Sequence, residues 1–130
     1  MSFHQTMATT ASNTVEARAV QWASDAEARK RYRNFCEGLP ALLMKCGLSQ
    51  TLAYLLAANQ VEGQALAKDL ADHFYKLAVI SAEEPNDGNP HRLLKKLQSF
   101  GVPQYRILSN IAAQAAVWQK RMAKAIINTD

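Results

Sequence analysis

Three residues in the run "KDLADH" could act together: Asp69, Asp72 and His73 occupy neighbouring positions of a helical pattern, so two carboxylates and an imidazole can be drawn around a metal ion. No further ligand follows at a recognisable spacing, and a helix that also carries Lys68 ordinarily presents such residues to solvent. A solvated face is therefore expected, and no metal. His4 and His91 have no catalytic partner at a useful distance in sequence. Ser49 lies outside any nucleophile-elbow pattern, and no glycine-rich phosphate loop occurs. Cys46 before Gly47 could be a reactive thiol, but a small buried apolar side chain is its ordinary role. No catalytic residue and no cofactor are expected.

The bases offer a different chemistry. "RKRYR" sets Arg29, Lys30, Arg31 and Arg33 around the polar arc of a helix, "HRLLKK" adds Arg92, Lys95 and Lys96, and "WQKRMAK" adds Lys120, Arg121 and Lys124. Such clusters attract phosphates without regard to base sequence, although bases also serve simply to keep helix surfaces soluble. Only Tyr32 interleaves with them, so a base-stacking platform is not indicated. The net charge is +4, but residues 62–87 hold six acids against two bases, a net of −4, while the remainder holds 13 bases against five acids, a net of +8. Segregation of this kind suits one polyanion-facing side and another side with a separate task.

These residues need elements to position them. In 130 residues the composition is 48% hydrophobic with abundant alanine, which gives one all-α domain, a bundle of about six helices with a long first and a long last helix. Residues 1–12 read as a flexible polar tail and residues 13–130 as the domain. The first helix is expected from Asn13 to Glu37, ending at Gly38. Within it "SDAE" (Ser24 to Glu27) has the spacing of a capping box. The segment either breaks there or, as favoured, runs on as one helix whose two halves are buried against different neighbours. Pro40 then suits the first turn of a short helix to Cys46, stopped by Gly47. Ser49 is placed to cap a helix to Ala58. Further helices are expected over Glu62–Ser81, Pro90–Phe100 and Pro103–Ile127, with "EEPNDGNP" (Glu83 to Pro90) as the clearest loop. In the last helix Leu108, Ile111, Ala115, Trp118, Met122 and Ala125 form one stripe. Trp22 and Trp118 lie on apolar stripes, where core packing is the ordinary role and anchoring of a partner the more specific one.

No stretch reaches the ~18–20 uninterrupted apolar residues of a bilayer span, and the opening has no signal-peptide pattern. Cys36 and Cys46 are too few for a disulfide framework. A cytoplasmic protein with free thiols and no membrane partner is expected.

"YRNFCEGLPALLMKCGLSQTLAYLLA" (Tyr32 to Ala57) resembles the central signature of the small subunit of the type III-B CRISPR effector, the fifth protein of the Cmr series. That signature has a tyrosine segment, Leu-Pro, an apolar run, Asn-Gly-Leu, then a glutamine. "YRILSNIAAQAAVWQKRMAKA" (Tyr105 to Ala125) resembles the closing motif of the family, and "RAVQWA" (Arg18 to Ala23) fits its opening helix more loosely. The matching motif positions are Trp22, Leu39, Pro40, Gly47, Leu48, Gln50 and Trp118. Cys46 stands where the family has asparagine, and Gln119 replaces a leucine, which suggests a wetter face beside Trp118.

The resemblance implies a non-enzymatic, all-helical subunit of an RNA-guided ribonucleoprotein. Several copies would stack head to tail beside the backbone subunits that hold the guide RNA, lining the groove for target RNA. Its partners would be guide and target RNA within the assembled complex, the backbone and large subunits, and further copies of itself. Arg18, Lys30, Arg33, Lys45, Lys95, Lys96, Arg106, Lys120, Arg121 and Lys124 are the expected phosphate contacts. The acidic segment 62–87 would face a neighbouring subunit. The rival expectation is a free-standing helical adaptor that binds a partner helix.

Overall fold

A computed structural model describes residues 2–80 and 89–127 and places five α-helices there: α1 Phe3–Gln21, α2 Ala26–Ala57, α3 Val61–Lys76, α4 Pro90–Leu97 and α5 Val102–Ile126. No strand occurs among the described residues. Counting the two arms of α2 separately gives six helical segments among the described residues, the number expected from sequence but with the early breaks placed differently.

The polar opening is helix rather than tail. The Ser2 hydroxyl accepts the N–H of Gln5 at 3.2 Å while the Gln5 side chain accepts the N–H of Ser2 at 2.9 Å, a reciprocal capping box. Met7, Ala11 and Val15 then recur every four residues and are buried, so packing secures what the cap begins. The helix does not continue through "SDAE". Trp22 closes α1, and Asp25, not Ser24, caps α2 by accepting the Ala28 N–H at 3.1 Å. Arg29 ties the break shut, donating to the carbonyls of Trp22 at 2.7 Å and Ala23 at 2.6 Å.

Neither Gly38 nor Pro40 interrupts α2. Pro40 removes the N–H that would reach the Cys36 carbonyl, a defect that ordinarily costs about 3 kcal/mol. Tyr32, Cys36, Leu39 and Leu43 line one buried face across it, however, and their burial outweighs the local preference. The real break is Gly47, with φ 81° and ψ 172°. There the chain doubles back: Phe35 of the first arm, Leu55 of the second and Ala58 just after it all approach Gly63, where an added Cβ would lie 3.2 Å from the Leu55 carbonyl oxygen. The 32 residues of α2 are long and apolar enough to cross a membrane, yet they form a bent hairpin rather than one rod.

Beyond α2, α3 stops at Lys76, earlier than expected, and Ala78 turns the chain with φ 58°. Most of the expected "EEPNDGNP" loop lies outside the described residues. Asn89 caps α4, its side chain accepting the His91 N–H at 2.8 Å, with Pro90 in the first turn. The two arms of α2 pack chiefly against α5 and α3, α1 lies over α5 and α3, and α4 closes against α2 and α3. The buried side of α5 is turned from the expected stripe: Leu108, Ile111, Ala112, Ala115, Ala116, Gln119 and Ala123 are buried, Trp118 and Met122 only partly so, and Ala125 is exposed.

Candidate nucleic-acid interface

Two of the three residues first considered for metal binding are neither solvated nor ligand-like. Asp69 and His73 are buried on α3, and together with Tyr32 and Gln119 they form a polar core. Arg18 of α1 grips Asp69, Nε to Oδ2 at 3.0 Å and Nη2 to Oδ1 at 2.8 Å. Tyr32 donates its hydroxyl to Asp69 Oδ2 at 2.5 Å, and Gln119 Nε2 donates to the same hydroxyl at 3.2 Å. Because the one Tyr32 proton goes to the carboxylate, the Gln119 atom facing Tyr32 must be its N–H. Gln119 Oε1 therefore accepts from Thr14 at 3.0 Å and from His73 Nε2 at 2.9 Å, which fixes the Nε2–H tautomer. His73 Nδ1 is buried and has no hydrogen-bond partner among the described residues.

Burial pushes the Asp69 carboxyl upward from its ordinary 3.8 against the pull of Arg18 and Tyr32, and burial pushes His73 below 6.5 although Gln119 and Asp72 oppose it. The expected wetter face at Gln119 is the opposite of what is found: Gln119 is fully buried and joins all four long elements. Only Asp72 fits the solvated reading, paired with Lys68 one turn away at 3.7 Å. No group of three or more His, Cys, Asp or Glu residues suited to a metal occurs among the described residues.

The first basic run is largely engaged within the chain. Arg29 closes α1, Arg31 meets the buried Glu62 at 2.8 Å, and Arg33 pairs with Glu37 at 3.5 Å. Arg18, expected to meet phosphate, is held by Asp69, and its guanidinium also lies 6.0 Å from the Trp22 ring. Glu62 and Asp69 are thus used inside the fold and do not form an acidic docking face. Trp22 packs at 5.6 Å against Tyr32, while Leu39 and Leu48 are buried, so these motif positions build the core. Pro40 is half-buried, and Gln50 is exposed beyond the Gly47 bend.

Other bases stand on the surface. Lys30 and Lys45 are exposed on α2, Lys95 on α4, and Arg106, Arg121 and Lys124 on α5, with Lys96 and Lys120 half-buried. Arg121 lies over the Trp118 ring at 5.7 Å, which limits its range of orientations. Arg106 and Lys124 are separated by 18 positions of α5, a rise of roughly 27 Å that brings them to the same angle around an ideal helix. At the near end, the Tyr105 hydroxyl accepts the N–H of Ser49 at 3.0 Å, setting the start of α5 against the α2 bend that carries Lys45. Along α5 the bases are thus spread over the length of the helix rather than gathered in a single cluster, an arrangement suited to a polymer of phosphates.

A family model for the CRISPR-associated protein Cmr5 matches residues 3–126, which includes the opening helix. The chain belongs to the Cmr5 family. A curated relative, the CRISPR system Cmr subunit Cmr5 of Thermus thermophilus, is 31% identical over 108 residues, covering 83% of this chain and 85% of that protein. The X-ray crystal structure of a CRISPR-associated Cmr5 family protein from Thermus thermophilus has a TM-score of 0.80 at 27% identity, covering 98% of this chain and 99% of that one. The surface bases described above are thus carried by a Cmr5 fold, and the polar core is the part that sequence reading missed. Its signal was present: Thr14 and Arg18 on α1, and Asp69 and His73 on α3, repeat the same spacing of four.

Proposed function

We propose that this chain is a non-catalytic small subunit of the type III-B CRISPR Cmr complex that binds the RNA backbone within the assembled particle. Membership of the Cmr5 family over residues 3–126 carries the reading, and the surface bases supply its mechanism. Guide RNA pairing would select the target sequence, so this subunit needs phosphate contacts alone, as in other RNA-guided effectors. Lys45 and Arg106 at one end of α5, and Arg121 and Lys124 at the other, are the proposed contacts, with Lys30, Lys95, Lys96 and Lys120 as further candidates. Exposed apolar side chains at Met44, Tyr54 and Val61 offer contact area for the backbone and large subunits or for further copies of the chain.

The test is target-RNA binding by the reconstituted cytoplasmic complex as a function of salt. Arg121→Glu with Lys124→Glu should weaken binding and reduce the salt slope by about one unit or more, without changing the preference among target sequences. Equal affinity and an equal slope would refute the phosphate role. A chain that fails to join the other subunits in a pull-down and binds no RNA would instead be a helical adaptor.

A further inference from the structure

Gly47 has two duties at the bend of α2, and they conflict. Its φ of 81° and ψ of 172° end the first arm in a region that is essentially restricted to glycine. The same residue stands at the N-cap of the second arm, where a side-chain oxygen normally accepts the N–H of the second or third helical residue. Glycine has no such oxygen. The second residue of that arm is Ser49, and its N–H donates at 3.0 Å to Tyr105, 56 positions away on α5. The cap missing from the bend comes from another helix. Glycine also leaves the angle between the arms soft, so this contact and the burial of Leu43, Leu48 and Leu52 hold the bend in place. Lys45 and Gln50 are exposed on either side of it, and Arg106 is exposed next to Tyr105.

We infer that Tyr105 is a positioning residue for nucleic-acid binding: by capping Ser49 it locks the α2 bend onto the start of α5 and aims Lys45, beside Arg106, at an RNA phosphate backbone. The inference rests on the proposed phosphate role of Lys45. Tyr105→Phe deletes the acceptor and keeps the ring, so packing of the ring is preserved while the cap is lost.

Target-RNA affinity of the assembled complex, measured against salt for wild type, Lys45→Ala, Tyr105→Phe and the double variant, tests it. Lys45→Ala should weaken binding most at low salt and reduce the slope by somewhat under one unit, so that its deficit shrinks about threefold across a fourfold rise in salt. Tyr105→Phe should weaken binding by about twofold in the wild-type background and not at all once Lys45 is gone. Gly47→Ala reaches the same bend from α2 and should show the same dependence on Lys45. In the isolated chain, amide exchange at Ser49 should quicken about tenfold in Tyr105→Phe. An effective Lys45→Ala combined with a Tyr105→Phe that changes nothing, or that weakens both backgrounds equally, leaves Tyr105 a structural cap only and overturns the inference. A Lys45→Ala variant without effect overturns the underlying phosphate reading instead, whatever Tyr105→Phe does.

Discussion

Arg18 and Asp69 form a two-point ion pair across the α1–α3 boundary, at 3.0 and 2.8 Å, with the Asp69 side chain only 4% exposed. The pair converts a residue that looked like a phosphate contact into a structural tie. Arg18→Ala strands a buried carboxylate, so it should lower unfolding stability by about 3 kcal/mol in urea denaturation. It should leave the salt slope of RNA binding in the assembled complex unchanged.

His73 makes stability depend on mild acid. Its folded-state pKa lies below 6.5, so the unfolded chain takes up a proton first as pH falls. Its contribution is fully present above 6.5 and is lost as pH drops from there. The orphan Nδ1 gives the incoming proton no partner among the described residues. Asp69 works in the other direction, since its raised folded-state pKa makes protonation relieve a burial cost as the pH falls toward the carboxylate range. Thermal unfolding at pH 7.5 and 5.5 should show a loss in wild type, and a flatter response in His73→Gln.

Two glycines of α2 should answer the same substitution with opposite signs. Beyond the local backbone, nothing among the described residues lies within 4 Å of a Cβ added at either, so crowding plays no part. Gly38→Ala lies inside regular helix and should add about 0.5–1 kcal/mol of stability. Gly47→Ala forces a side chain into a backbone region meant for glycine and should cost about 1–3 kcal/mol. Chemical denaturation of the two variants decides the signs.

Thr51 is fully buried, and its hydroxyl has no hydrogen-bond partner among the described residues. Thr51→Val removes that unsatisfied group at nearly constant volume and should stabilise the chain by about 1 kcal/mol, read as an upward shift in the unfolding midpoint. A loss of stability would mean that the hydroxyl is satisfied in solution.

The helices were legible wherever local chemistry and packing agree. Leu66, Leu70 and Phe74 on α3, and Pro90 after Asn89 at α4, announce themselves through spacing and capping. Gly47 was legible for the same reason, because glycine alone reaches its backbone angles. Pro40 misled because its local preference yields to a buried face that continues on both sides of it. Ser2 and Gln5 did signal a capping box, but the threonines that follow concealed the four-residue spacing of Met7, Ala11 and Val15. The site was harder to read. A base in a sequence has the same letter whether it meets solvent or a buried acid, and the partners of Arg18 and Arg31 lie 51 and 31 positions away. For a surface base such as Lys124, helical spacing alone was enough to set it off the buried stripe.

Thr14 and Gln119 are 105 positions apart, and the hydrogen bond between them joins the first helix to the last. During synthesis from the N-terminus, Thr14, Arg18, Tyr32, Asp69 and His73 all emerge before Gln119 exists. The nascent chain must therefore hold the His73 ring and the Tyr32 hydroxyl without their shared amide until α5 has been made. The native core can close only once α5 is available, and a ribosome that stops within α5 before Gln119 releases a chain that cannot complete it.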